Sequence, residues 1–186
     1  MQIVLASASP RRAELLASAG FSFTVQPAEV DETPLAGEAP AAYVRRVAAA
    51  KAQAVATACG NSSVVLAADT TVVAAGQMLG KPCGAEEATR MLKLLAGAVH
   101  EVLTGVTVVG PDRREDEVVR TRVRLLPLSA DEIAWYVKSG EPEGKAGAYA
   151  IQGRAARFID WIEGSWSNVV GLPVATVYQM LKRAGA

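Results

Sequence analysis

Ser7 and Ser9 precede Arg11 and Arg12 in the run Leu5-Ala6-Ser7-Ala8-Ser9-Pro10-Arg11-Arg12, which concentrates two hydroxyls and two guanidiniums in one short stretch. Those groups suit a phosphate, because all of them donate hydrogen bonds to anionic oxygens. The apolar residues Ile3-Val4-Leu5 read as a strand, the serines as a turn, and the stretch from Pro10 onward as a helix. Ser9 is a good N-cap, and Pro10 suits the first helical position, where its missing N–H costs nothing. A helix N-terminus adds unpaired N–H groups and a positive dipole end, which favour anions. The same residues also describe an ordinary capped helix with solvated arginines.

Asp69 comes directly after Val64-Val65-Leu66-Ala67-Ala68, a run apolar enough to be a strand buried on both faces. Ligand sites in α/β sheets favour the carboxyl ends of strands. A carboxylate there needs a metal, a water or a lysine, because burying it unpaired costs several kcal/mol. The alternative is an Asx-turn that bends the chain between two strands. Lys51 lies on an Ala-rich helical stretch, and Lys81 is pinned between Gly80 and Pro82. Lysine suits phosphate oxygens, although either one alone also reads as an ordinary surface lysine. Glu32, in Val30-Asp31-Glu32-Thr33, offers an oxygen ligand for Mg²⁺ or is simply solvated.

Residues 145–153 form a glycine-containing loop in which Gln152 presents both a donor and an acceptor to a nucleobase edge. Neither GxGxxG nor a Walker A sequence occurs. Trp166 either covers a base or packs in a core or dimer contact. His100, the one histidine of the chain, reads as a hydrogen-bonded structural residue rather than a base.

The elements that must hold these residues alternate between strand and helix. Strands are expected at 2–6, 21–25, 64–68, 71–75, 99–109, 117–126 and 156–162. Helices are expected at 10–19, ended by Gly20, at 40–59, ended by Gly60, at 85–95, at 130–138 behind the capping box Ser129-Ala-Asp-Glu132, and at 173–184. Residues 26–38 form an acidic loop with Glu29, Asp31, Glu32 and Glu38, and 163–171 form another loop. The βα units together with a long antiparallel hairpin predict an α/β protein with a mixed sheet, treated as a single domain over 1–186.

Formal net charge is zero, with 19 basic and 19 acidic residues among 186. No basic stripe predicts strong nucleic-acid binding, and no apolar run approaches the length of a membrane span. Cys59 and Cys83 lack metal-ligand spacing, so reduced thiols, a cytoplasmic location and no membrane are expected.

Taken together, SASPRR, VDE, the Lys51 helix, AADT, GKP, KAGAYAIQG and GSWSNVVGLP occur in the order seen in the Maf family, and the resemblance spans the whole chain. This family is also called septum-formation inhibitor proteins and nucleoside triphosphate pyrophosphatases. The resemblance implies a fold like inosine-triphosphate pyrophosphatase, with two lobes around a central cleft, often homodimeric. It also implies hydrolysis of a nucleoside triphosphate to the monophosphate and pyrophosphate with a divalent metal, Mg²⁺ or Mn²⁺, and a link to division arrest. The family's catalytic aspartate corresponds to Asp69, which with Glu32 would hold the metal. Ser7, Ser9, Arg12, Lys51 and Lys81 are the candidates for binding phosphate. The substrate-selecting positions fall on Arg11, Thr70 and Gln152. The branch similar to dTTP/UTP pyrophosphatases carries Arg, Thr and Gln there, as this chain does, whereas the 7-methyl-GTP branch tends to carry Trp, Gln and Glu. Trp166 stands where the family often has Tyr. The rival readings are the same reaction on 7-methyl-GTP or a modified pyrimidine, and a non-enzymatic division regulator.

Overall fold

A computed structural model describes residues 1–59 and 63–186. The expected helix stop at Gly60 lies outside the described residues. The strands are β1 (Gln2–Leu5), β2 (Phe23–Val25), β3 (Ser63–Ala74), β4 (Gln77–Leu79), β5 (Val99–Val109), β6 (Arg114–Leu125) and β7 (Ile159–Glu163). The helices are α1 (Pro10–Ser18), α2 (Pro40–Cys59), α3 (Ala85–Leu95), α4 (Ala130–Lys138), α5 (Trp166–Val170) and α6 (Val174–Arg183). The sheet runs β2-β1-β3-β5-β6-β7, with β4 paired to β3. β1 is parallel to β2 and β3, whereas β3–β4 and β6–β7 are antiparallel, so the sheet is mixed as expected.

The chain divides into two compact units. One comprises residues 1–70, 104–119 and 171–186, the other 71–103 and 120–170. In the first, strand alternation sorts side chains onto two faces. Ile3, Leu5, Val64, Leu66 and Ala68 pack with Leu16 of α1 and with Leu172, Val177, Met180 and Leu181 of the C-terminal segment. Val4, Ala6, Val65 and Ala67 pack against Ala52 and Val55 of α2. At Gly105 a Cβ would be driven into the Val44 carbonyl, so only glycine lets α2 lie this close to β5.

In the second unit α3 packs against α4, burying Met91, Leu92, Leu95, Ile133 and Tyr136. The capping box is present: Glu132 N donates to Ser129 Oγ at 3.2 Å, and Ser129 N donates to Glu132 Oε2 at 2.8 Å.

Several expectations are corrected. Residues 64–68 and 71–75 are not two strands, because β3 runs unbroken through Asp69-Thr70. Asp69 therefore lies within a strand, not at its end, and no Asx-turn forms. Its polar side chain finds partners across the fold instead of in a local turn. The reversal comes at Ala75-Gly76, both at positive φ (46° and 73°), the two-residue hairpin connection that introduces β4. Residues 154–158 are a 3-10 turn, so the last strand starts only at Ile159. Within the loop expected at 163–171, residues 166–170 are the short helix α5.

Candidate active site

The alternation that sorts the core also sorts the functional side chains. Asp69 continues the face of Val65 and Ala67, toward α2. Thr70 continues the face of Val64, Leu66 and Ala68, toward α1. On α2, Lys51 shares a buried face with Val44, Val47, Ala48 and Val55, a 3.6-residue pattern that carries the ammonium into the protein. Lys51 Nζ donates to Asp69 Oδ1 at 2.8 Å and pairs with Glu32 Oε1 at 2.7 Å. Lys51 is 7% exposed and Asp69 6%, whereas Glu32 is open to solvent.

The opposite face holds a second cluster. Arg12 Nε donates to the Gly171 carbonyl at 2.8 Å, Nη1 to Ser7 Oγ at 3.2 Å and Nη2 to Thr70 Oγ1 at 3.1 Å. Thr70 Oγ1 also lies 2.9 Å from Thr104 Oγ1. Three protein acceptors thus fix the guanidinium fork and tie the serine turn, β3 and the start of the C-terminal segment together. Burial pushes the Arg12 guanidinium below its ordinary value, Asp69 pushes it back up, Arg11 lowers it and Glu32 raises it. The two clusters therefore feel one another's charge. Burial also lowers Arg11, partly offset by Glu14.

Ser9 occupies the N-cap position of α1, as expected, but its hydroxyl makes no cap bond. Ser9 N instead donates to Ser7 Oγ at 3.2 Å. Lys81 and Gln152 belong to the second unit, and both are exposed. Trp166 opens α5 and is exposed, so it is not a core residue.

Sequence reasoning missed Thr104 and the Gly171 carbonyl. It also missed Tyr43, one helical repeat before Val47 and two before Lys51. Its phenol is pushed up to about 12 by burial, then by the negative charges of Asp69 and Glu32. The i, i+4, i+8 spacing of Tyr43, Val47 and Lys51 was the available signal. Arg46 was missed as well: it holds Glu38 through two bonds of 2.7 and 2.8 Å and the Thr33 carbonyl at 3.0 Å, next to Glu32. His100 is buried, with Nε2 2.8 Å from Tyr149 Oη, as expected of a structural histidine.

Among the described residues no group of three or more His, Cys, Asp or Glu is placed to hold a metal ion. Two carboxylates do converge, each within 2.8 Å of the Lys51 nitrogen. One or two carboxylates completed by water and substrate phosphate oxygens is the usual Mg²⁺ arrangement. The residues fit a hard cation that arrives with a phosphate ligand.

The fold is an α/β fold shared with the Staphylococcus aureus Ham1 protein, at a TM-score of 0.52 and 16% identity over 98% of each chain. The sequence matches the Maf-like protein family over residues 2–184, and the chain belongs to that family. A Myxococcus xanthus (strain DK1622) protein named dTTP/UTP pyrophosphatase is 54% identical, over 98% of this chain and 92% of its own length. One of the same name from Koribacter versatilis (strain Ellin345) is 50% identical, over all of this chain and 95% of its own length.

Proposed function

We propose that this protein hydrolyses dTTP and UTP to the monophosphate and pyrophosphate. The observation that carries the reading is identity of 50–54% across essentially the whole chain to relatives named for that activity, joined to Arg11, Thr70 and Gln152 at the selecting positions. Water attacks the α-phosphorus, the bond to the bridging oxygen of the β-phosphate breaks, and pyrophosphate leaves. Asp69 accepts the water's proton at Oδ2, since Oδ1 is held by Lys51. Lys51 fixes the orientation of that carboxylate and presents positive charge to phosphate oxygens. Ser7, Ser9, Arg12 and Lys81 supply further donors to the triphosphate. A divalent cation, Mg²⁺ or Mn²⁺, held by Asp69 and Glu32, would neutralise charge on the phosphates. Gln152 reads the pyrimidine carbonyl and N3–H through its amide, with Arg11 and Thr70 as the other selecting residues. The removal of excess or non-standard nucleotides, a cytoplasmic location, a homodimer and a link to septum formation accompany the reading through the family resemblance. The thiols of Cys59 and Cys83 are free, consistent with a reducing compartment. Among the described residues no helix is long and apolar enough to cross a membrane.

The test is pyrophosphate release from dTTP, UTP, CTP, GTP and 7-methyl-GTP with Mg²⁺ or Mn²⁺, beside an Asp69→Asn control. Release confined to dTTP and UTP is expected, with a loss in Asp69→Asn on the order of 10²–10⁴-fold, the usual contribution of a general base. Preference for 7-methyl-GTP would overturn the substrate assignment. Silence on every substrate would overturn the enzymatic reading in favour of a regulator.

A further inference from the structure

Gln152 is exposed and sits in a tight turn, closed by Gly153 N donating to the Ala150 carbonyl at 3.0 Å. A residue that discriminates by hydrogen bonding must be held still, and an exposed glutamine on a glycine-containing loop has no packing of its own to hold it. The structure supplies the restraint from α4 and the chain just after it. The Tyr136 hydroxyl accepts from Ala150 N at 3.1 Å and donates to Glu141 Oε1 at 2.8 Å. Glu141 Oε2 accepts from Arg154 N at 2.9 Å, and Oε1 also accepts from Ala155 N at 3.3 Å. One carboxylate–phenol pair therefore grips the backbone on both sides of Gln152, at 150 and at 154–155. Tyr136 is itself immobile: it is 1% exposed and stacks edge-on to Phe158 at 6.0 Å. Gly153 is required for this grip, because a Cβ there would meet the Glu141 carboxylate. The carboxylate also lies at the start of the 3-10 turn 154–158, where it satisfies N–H groups with no partner inside the turn.

We infer that the Tyr136–Glu141 pair is a specificity-determining clamp: it positions Gln152, and with it the choice of pyrimidine over purine. Both act through the backbone around Gln152, as positioning residues. The inference rests on the reading of Gln152 as the base-selecting side chain. Glu141→Gln is the informative variant, since its amide nitrogen cannot accept, and at least one of the gripped N–H groups loses its partner. Tyr136→Phe keeps the ring against Phe158 and removes only the hydroxyl bridge.

The experiment measures kcat and KM for UTP and GTP in the wild type, Glu141→Gln, Tyr136→Phe, Gln152→Ala and the Glu141→Gln/Gln152→Ala double variant. Misplacing a group by about 1 Å can cost on the order of 10²-fold, so looser positioning is expected to lower the UTP-over-GTP ratio of kcat/KM by roughly tenfold in either clamp variant, through the KM for UTP. In the Gln152→Ala background Glu141→Gln is expected to change the ratio no further, a non-additivity that general destabilisation does not produce. An unchanged ratio in both clamp variants, beside a changed one in Gln152→Ala, would remove the clamp alone. A full additional loss in the double variant would also overturn it, because Glu141 would then act by another route. An unchanged ratio in Gln152→Ala would remove the base-reading assignment and the clamp's role with it.

Discussion

Lys51 Nζ lies 2.8 Å from Asp69 Oδ1, with both side chains buried. A helix face otherwise made of Val44, Val47, Ala48, Ala52 and Val55 delivers the ammonium to the one carboxylate on the facing run of β3. The same ammonium pairs with Glu32. The two partners are therefore not equivalent: Lys51 has two carboxylates, whereas among the described residues the one salt bridge of Asp69 is that with Lys51.

Removing either partner should destabilise unequally. Lys51→Met leaves Asp69 buried without its hydrogen-bonded cation, and breaking a buried pair in this way costs roughly 3–5 kcal/mol. Asp69→Asn leaves Lys51 paired with Glu32 and is expected to be clearly milder. Urea unfolding of the two variants measures the difference, and equal losses would mean that Glu32 does not hold the lysine in solution.

Gly105→Ala tests the close approach of α2 to β5. The added methyl is driven into the Val44 carbonyl, and overpacking of this kind typically costs about 1–3 kcal/mol. Since α2 also carries Lys51, pyrophosphatase turnover is expected to fall together with the melting temperature. A variant of wild-type stability and turnover would show that the helix can slide away freely.

His100 makes folding stability depend on pH. Burial pushes it down to about 4, below the ordinary value near 6.5. The unfolded chain therefore binds a proton more readily than the folded one between those values. The stability is complete above about pH 6.5 and declines as the pH falls toward 4, by roughly 3 kcal/mol for a shift of this size. His100→Gln should flatten that part of the profile. Because this is the only histidine, its imidazole resonances give a direct titration, and an ordinary midpoint would refute the assignment.

The Arg46–Glu38 pair sets a second, more acidic window. The hydrogen bond from Arg46, and after it that from Leu35 N, lowers the Glu38 carboxyl to about 2. Its contribution is present above the ordinary carboxylate range and is lost as the pH falls toward 2. Arg46 also holds the Thr33 carbonyl beside Glu32. Glu38→Gln is therefore expected to raise amide exchange in residues 31–38 at neutral pH and to weaken the dependence of stability on pH below about 4.5. Unchanged exchange there would separate the pair from the loop.

Local physics made much of this protein legible in its sequence. Helices with strong periodicity and end signals, such as Pro40–Cys59, Ala85–Leu95 and the capped Ala130–Lys138, match their expected spans. Their apolar spacing and capping groups act over one or two turns, which a sequence displays directly. The family motifs marked Asp69, Lys51 and Gln152 for the same reason: each is a short run of residue types. Tertiary structure decided the rest. Asp69-Thr70 reads locally as a turn, yet β3 continues because Lys51, 18 residues away, and Arg12, 58 residues away, satisfy its polar side chains. Ser9 reads locally as a cap, yet its hydroxyl makes no cap bond and its own N–H donates to Ser7. The grip of Tyr136 and Glu141 on residues 150–155 obeys the same rule. A buried polar group takes the best partner in space, and sequence separation carries no information about which one that is.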